Sequence, residues 1–197
     1  MNATIFKKVA TALALSALAL PVFAAQQTFD LAWSGASFGN TATATGQITF
    51  DPTQLTTFNQ VVFPSTVVTG ASITIQGATV GNGTFDASDF EFVVIERIDG
   101  LDLSRQLVGQ ALADGSTWGT STGALGNGNG GDFNFFANNG DAPVGTWWFT
   151  LTTADGGGDS LLLTSMTAAV PEAPGPAMLL AGLGLVGVLA RRRKAQA

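Results

Sequence analysis

The chain has 197 residues, of which 25 are glycine and only 11% are charged. It contains no cysteine, histidine or tyrosine, so disulfide bonds, thiolate chemistry and imidazole catalysis are excluded. The formal net charge is −6, and between residues 25 and 170 thirteen acidic residues outnumber two basic ones, Arg97 and Arg105. We expect no nucleic-acid partner, because such an acidic body repels phosphates.

The N-terminal segment predicts a secretory signal peptide over residues 1–24. A pair of lysines precedes an apolar stretch at residues 9–20, and a small residue, Ala24, follows it. This order is typical of export signals and disfavours the alternative, a buried N-terminal helix. We expect cleavage between Ala24 and Ala25, which places the mature protein outside the cytoplasm.

The body of the chain, residues 25–169, shows the period-two alternation of β-strands. In its first apolar run Phe29, Leu31 and Trp33 fall on one face, and similar short runs recur between glycine- and asparagine-rich turns. This spacing predicts an all-β fold, an antiparallel β-sandwich or jelly-roll-like domain.

For two strands, the same alternation predicts which side chains share a face. Phe90, Phe92 and Val94 are expected on one face of a strand. Residues 146–153, which read TWWFTLTT, are expected to form a single strand whose two tryptophans face opposite sides.

Only residues 102–113 have the spacing of a helix. Leu103, Leu107 and Ala111 recur every four residues, and Asp102 is suited to an N-cap. We therefore predict one short helix within the β body.

The glycine-rich stretch 126–141 is the candidate metal site. Asp132, Asn134 and Asp141 offer oxygen ligands of the kind that Ca²⁺ prefers. The stretch is one imperfect glycine/aspartate repeat without the spacing of an EF-hand, so a flexible surface loop is the alternative. No other cofactor is expected.

Two tryptophans are candidates for carbohydrate binding. Trp118 and Trp148 could stack on the apolar faces of sugars, and burial in the core is the alternative.

Catalytic residues are not expected. Glu91 and Glu96 lie five positions apart and so face opposite sides of one strand, whereas glycoside hydrolysis needs paired carboxylates.

The C-terminal segment predicts a transmembrane helix over residues 177–190. It satisfies the pattern G-x-G-x-x-G, but prolines precede it and no acidic residue follows it, so a dinucleotide site is excluded. As a helix it would be about 21 Å long against a hydrocarbon core of about 30 Å. The basic cluster 191–194, with Arg191, Arg192 and Arg193, would anchor it on the cytoplasmic side. An ordinary single-span anchor is one interpretation.

The order of parts at this end resembles the PEP-CTERM sorting signal. The match rests on Pro171 and Glu172, the apolar run and the arginines, within residues 170–197. Ala173 occupies the third motif position and Pro174 follows, so the motif over 171–174 reads PEAP. The resemblance implies recognition and processing of the tail by an exosortase, an integral membrane enzyme. It also implies export and association with exopolysaccharide or biofilm matrix.

These observations together predict an exported, non-enzymatic protein of the cell surface or extracellular matrix. Before processing, it would be anchored in the inner membrane with its body facing the periplasm. Its expected role is structural or adhesive in the envelope or exopolysaccharide matrix. A carbohydrate- or Ca²⁺-binding module is the alternative, and a glycoside hydrolase is a more remote one.

Overall fold

The computed structural model describes residues 26–119, 133–137, 140–147 and 149–169. The predicted signal peptide and tail lie outside the described residues. Within these ranges the chain forms ten strands and short 3₁₀ turns, with no α-helix, and nothing there could cross a membrane as a helix. The strands are β1 (Gln27–Ser34), β2 (Thr43–Phe50), β3 (Phe58–Val62), β4 (Val68–Gln76), β5 (Gly83–Asp86), β6 (Phe90–Glu96), β7 (Phe133–Ala137), β8 (Val144–Trp147), β9 (Thr150–Thr152) and β10 (Ser160–Ala168).

The described strands form two antiparallel sheets. The larger has the order β5-β4-β2-β1-β10-β9-β8 and curls into a half-barrel, and the smaller has the order β3-β6-β7. Every pairing within them is antiparallel. The predicted all-β, antiparallel class is confirmed as a sandwich-like arrangement.

The core lies between the two sheets and is built by strand alternation. Phe29, Leu31 and Trp33 are all buried, as the period-two pattern predicts. Phe29 stacks on Phe50 of β2 with ring centroids 4.8 Å apart. The smaller sheet contributes its own buried row, which consists of Val93, Ile95, Phe133 and Phe135.

Close approach of β7 and β8 joins the two sheets along one side. A Cβ atom on Gly145 of β8 would overlap the Cβ of Asn134 in β7. Glycine is therefore required at this position, because the two backbones could not otherwise come so near.

Two loops at one end of the half-barrel bring its distant strands together. The loop 77–82 joins β4 to β5, and the loop 153–159 joins β9 to β10. Thr153 Oγ1 donates to the carbonyl of Val80 at 2.8 Å, and the amide of Thr79 donates to the carboxylate of Asp159 at 2.5 Å. These hydrogen bonds hold together regions that are far apart in the strand order.

The prediction that Phe90, Phe92 and Val94 share one face is wrong. The β6–β7 register shifts between Phe90 and Phe92, so a β-bulge turns the strand over at this point. Phe90 packs in the core against Phe135, whereas Phe92 stacks on Phe136 on the opposite face.

The run 146–153 is not a single strand. It is divided between β8 and β9, which pair with each other, with Trp147 opposite Thr150. β8 and β9 are antiparallel, yet no glycine, asparagine or proline in this run of the sequence indicates a turn.

The predicted helix at 102–113 is absent, and this segment consists of turns. Gly109 adopts φ +94°, which interrupts any helix. The amide of Leu107 donates to the carbonyl of Met166 in β10, and Ala111 forms an isolated bridge with Thr117. The four-residue leucine spacing therefore reflects anchoring of a loop on the sheet.

Candidate functional site

The outer surface of the larger sheet is an array of hydroxyl and amide groups, which we call the hydroxyl face. Alternation directs polar side chains outward on four neighbouring strands. Thr28 and Thr49 are hydrogen-bonded across β1 and β2 at 2.8 Å, and Thr74 and Thr84 across β4 and β5 at 2.9 Å. The face comprises Thr28, Asp30, Thr45, Gln47, Thr49, Ser72, Thr74 and Thr84.

A shallow groove of about 390 Å³ crosses this face. Its polar lining comes from β1, β2 and β4, and Gln47 Nε2 donates to the carboxylate of Asp30 at 2.8 Å. Asp30 is the one carboxylate in this lining, whereas two-acid hydrolysis needs a pair. The groove suits recognition of hydroxyl groups, which can both donate and accept hydrogen bonds.

The outer surface of the smaller sheet is apolar, and we call it the aromatic face. Phe58 and Val62 of β3 are 58% and 56% exposed. Beside them the half-buried rings of Phe92 and Phe136 stack with centroids 4.4 Å apart. Gln60 and Glu96 are the polar groups among these outward positions of β3 and β6.

An apolar pocket of about 470 Å³ lies beyond the end of β3. It is lined by Phe63, Pro64, Ala87, Ser88 and Phe90. The pocket has no carboxylate in its lining, so its chemistry is that of apolar contact rather than acid–base catalysis.

Charged groups cluster where β6 ends, near the aromatic face. Burial raises the pKa of Glu96, and the neighbouring Arg97 partly offsets this effect. Arg97 forms a salt bridge of 2.8 Å with Asp114. Hydrogen bonds from Ser116, together with Arg97, lower the pKa of Asp114 to about 2. Asp114 is thus held as a carboxylate over the physiological range.

The structure places Trp118 in the core, which is the alternative to stacking on carbohydrate. Its side chain is fully buried between Phe133 and Phe149, and its Nε1 donates to the carbonyl of Glu96 at 2.8 Å. An indole buried in this way is a core residue with a satisfied polar tip. Trp148, the other candidate, lies outside the described residues.

The predicted Ca²⁺ ligands are not brought together in the part of the chain that the structure describes. Asn134 is buried within β7 rather than in a loop, and Asp141 lies in an exposed turn. Asp132 is outside the described residues. No group of three acidic side chains in the described ranges is arranged to hold a metal ion.

The sorting and processing residues also fall outside the described residues. These are Ala24, Ala25, Pro171, Glu172, Ala173, Pro174, Arg191, Arg192 and Arg193. The hydroxyl face and the aromatic face are the surfaces that sequence reasoning missed. The signal for the hydroxyl face was in the sequences of β2 and β4, where polar residues such as threonine and glutamine alternate with buried residues.

Comparison with protein-family models, curated proteins and solved structures gave no match to this chain.

Proposed function

We propose that this chain is an exported, non-catalytic protein of the cell surface or extracellular matrix with a structural or adhesive role. The observation that carries the proposal is the order of its parts: an export-signal sequence, an acidic body and a PEP-CTERM-like tail. The fold is compatible with this role, because a cysteine-free body with a continuous apolar core needs no disulfide to be stable outside the cytoplasm.

The test of this proposal is the intact mass of the protein from its native host, measured separately in membrane and extracellular fractions. We expect the extracellular form to lack residues 1–24 and the residues beyond the 171–174 motif. A membrane form that still ends at residue 197, with no extracellular form, would instead indicate an ordinary single-span anchor. A cytoplasmic form that retains residue 1 would contradict export.

The arginine cluster provides a second test. Replacing Arg191, Arg192 and Arg193 with alanine should impair membrane retention or invert the tail, because cytoplasmic basic residues set the orientation of a span. Arg105→Ala, which removes an exposed cation from the body, is the control. Unchanged fractionation and topology in the triple variant would count against the sorting role of the tail.

A carbohydrate-binding module is a second candidate, and the hydroxyl-face groove favours it. Its hydroxyl and amide groups and the carboxylate of Asp30 are suited to polysaccharide hydroxyls, and the acidic body would repel anionic polymers. Calorimetric titration with a panel of neutral and acidic polysaccharides, and with Ca²⁺, tests it. We expect heat with a neutral polymer that Asp30→Ala/Gln47→Ala abolishes and Gln76→Ala, at the exposed end of β4, preserves. Flat heats throughout would remove this candidate.

A further inference from the structure

The edge strand β3 has the backbone and side-chain features of a strand-pairing surface. Among the described strands it pairs with β6 alone, so its other side is an edge of the smaller sheet. An edge strand presents a row of N–H and C=O groups that can template another strand. We call this side of β3 the free edge.

The hydrogen-bond register identifies which residues point to the free edge. The amide of Arg97 donates to the carbonyl of Thr57, and the amide of Phe63 donates to the carbonyl of Glu91. In an antiparallel pair, residues whose backbone groups bond to the partner strand alternate with residues whose backbone groups point away from it. The odd-numbered residues of β3 are therefore the ones that bond to β6. The backbone groups of Phe58, Gln60 and Val62 therefore point away from β6. The hydroxyl of Thr56 donates to one of these groups, the carbonyl of Phe58, which has a second lone pair.

The same three residues also carry the exposed side chains of β3. Phe58 and Val62 are each more than half exposed, and Gln60 lies between them. The strand reads FNQVV and has no charge, proline or lysine. Natural proteins protect an edge strand with charged residues, especially lysine, or with proline. The absence of such residues leaves the edge of β3 open to pairing.

Other edges of the two sheets are protected. β5 has four residues and ends at Asp86, whose carboxylate caps the following turn. β8 lies against β7, where Gly145 approaches Asn134. β3 thus combines an uncharged sequence with a side that has no partner among the described strands.

We propose that the free edges of two copies of this chain pair antiparallel about a two-fold axis at Gln60. In this register Gln60 faces Gln60 of the second copy and exchanges both backbone hydrogen bonds with it. Phe58 faces Val62 of the second copy on each side of the axis, so each exposed apolar side chain gains an apolar neighbour. The two smaller sheets then form one continuous sheet.

A second copy fits this edge because the sequence is self-complementary and neutral. The acidic bodies repel each other, but the two β6 strands would be about 14 Å apart, beyond the Debye length of about 10 Å at 0.1 M salt. A five-residue strand buries little area, so the association is weak for one pair. It would gain strength where many copies are displayed together. The pairing belongs to the folded body and does not depend on processing of the tail.

Disulfide trapping of the full chain tests this pairing. Because the chain has no cysteine, Gln60→Cys introduces a single thiol. Opposed residues in a hydrogen-bonded pair have Cα atoms about 5.5 Å apart, within the range of about 4.4–6.8 Å that a disulfide spans. The control is Thr84→Cys, an exposed position on the edge strand β5. We expect Gln60→Cys to give at least about tenfold more disulfide-linked dimer, with a yield that rises with salt.

A second experiment tests the pairing by placing a charge at the free edge. Adding Phe58→Lys to the Gln60→Cys chain should lower the dimer yield at least about tenfold, because each Val62 then loses its apolar neighbour and a lysine on an edge strand opposes pairing. Phe38→Lys, which replaces another exposed phenylalanine away from β3, should leave the yield unchanged. Equal yields from the two cysteine variants, or no effect of Phe58→Lys, would overturn the proposal. A Gln60→Cys chain that stays monomeric while Phe58→Lys weakens retention on polysaccharide would identify a glycan as the occupant instead.

Discussion

At the scale of single residues, the two core tryptophans differ in how their indole N–H groups are accommodated. Trp118 donates its Nε1 proton to the carbonyl of Glu96, whereas Trp33 Nε1 is buried with no hydrogen-bond partner among the described residues. Both side chains are otherwise buried in the same core. They provide matched positions for measuring what the hydrogen bond contributes.

We expect Trp118→Phe to destabilise the protein more than Trp33→Phe, by about 1–3 kcal/mol. Both changes remove the same volume, but only the first leaves the part-buried carbonyl of Glu96 without its donor. Urea denaturation of each variant, followed by intrinsic fluorescence, measures the difference. Equal losses would mean that packing alone determines the contribution of Trp118.

At the scale of strands and loops, closure of the half-barrel depends on Thr153. Its fully buried hydroxyl donates to the carbonyl of Val80 and accepts from the amide of Asp159 at 3.0 Å. It therefore connects the loop beyond β4 to the loop before β10. The loss of this hydroxyl would remove a partner from the carbonyl of Val80 and from the amide of Asp159.

We expect Thr153→Val to lower the free energy of unfolding by about 1–3 kcal/mol, because valine keeps the shape and removes both hydrogen bonds. Thr164→Val is the control. Its exposed hydroxyl donates to the carbonyl of Ala32, and its loss should cost no more than about 0.5 kcal/mol. Chemical denaturation measures both, and similar losses would contradict a special role for the loop contact.

Strand content was predictable from the sequence because alternation is a local property. The face formed by Phe29, Leu31 and Trp33 required no knowledge of the partner strands. The bulge that turns β6 over after Phe90 was not predictable, since it depends on how β7 pairs with it. The reversal between β8 and β9 was missed for a similar reason, because tertiary pairing imposes a turn that the residues do not signal.

The candidate surfaces were harder to predict than the fold. Trp118 carries the residue type of a sugar platform, yet burial decides its role, and burial depends on both sheets. The free edge of β3 could not be identified without the sheet order. Its neutral sequence is visible in the chain, but only the topology shows that one side has no neighbouring strand among those described.

At the scale of the whole molecule, stability should depend on pH through two opposing effects. Hydrogen bonds to carboxylates lower the pKa values of four aspartates: Asp51 through Gln54 and Thr53, Asp86 through Ser88, Asp102 through Ser104, and Asp114 through Ser116. The opposing effect is electrostatic repulsion among the carboxylates of the acidic body, which protonation relieves.

The sign of the aspartate effect follows from the direction of the pKa shifts. A carboxyl group whose folded pKa is lowered stabilises the fold above its unfolded pKa, near 3.8, and this stability is lost as pH falls toward the folded value. The contribution of Asp114 is lost as the pH falls toward its folded pKa of about 2. Relief of repulsion acts in the opposite direction, because protonation lowers the net negative charge of the body.

We therefore expect the melting temperature to rise or stay level from pH 7 to about 5 and to fall between about pH 4 and 2. Asp114→Asn should reduce the slope of the acid limb, because the variant no longer loses a carboxylate that Ser116 and Arg97 stabilise. Asp155→Asn, at an exposed loop position, should leave that slope unchanged. Thermal unfolding followed by circular dichroism at each pH measures the effect. An acid limb that is identical in the Asp114 variant would mean that other groups determine the loss of stability in acid.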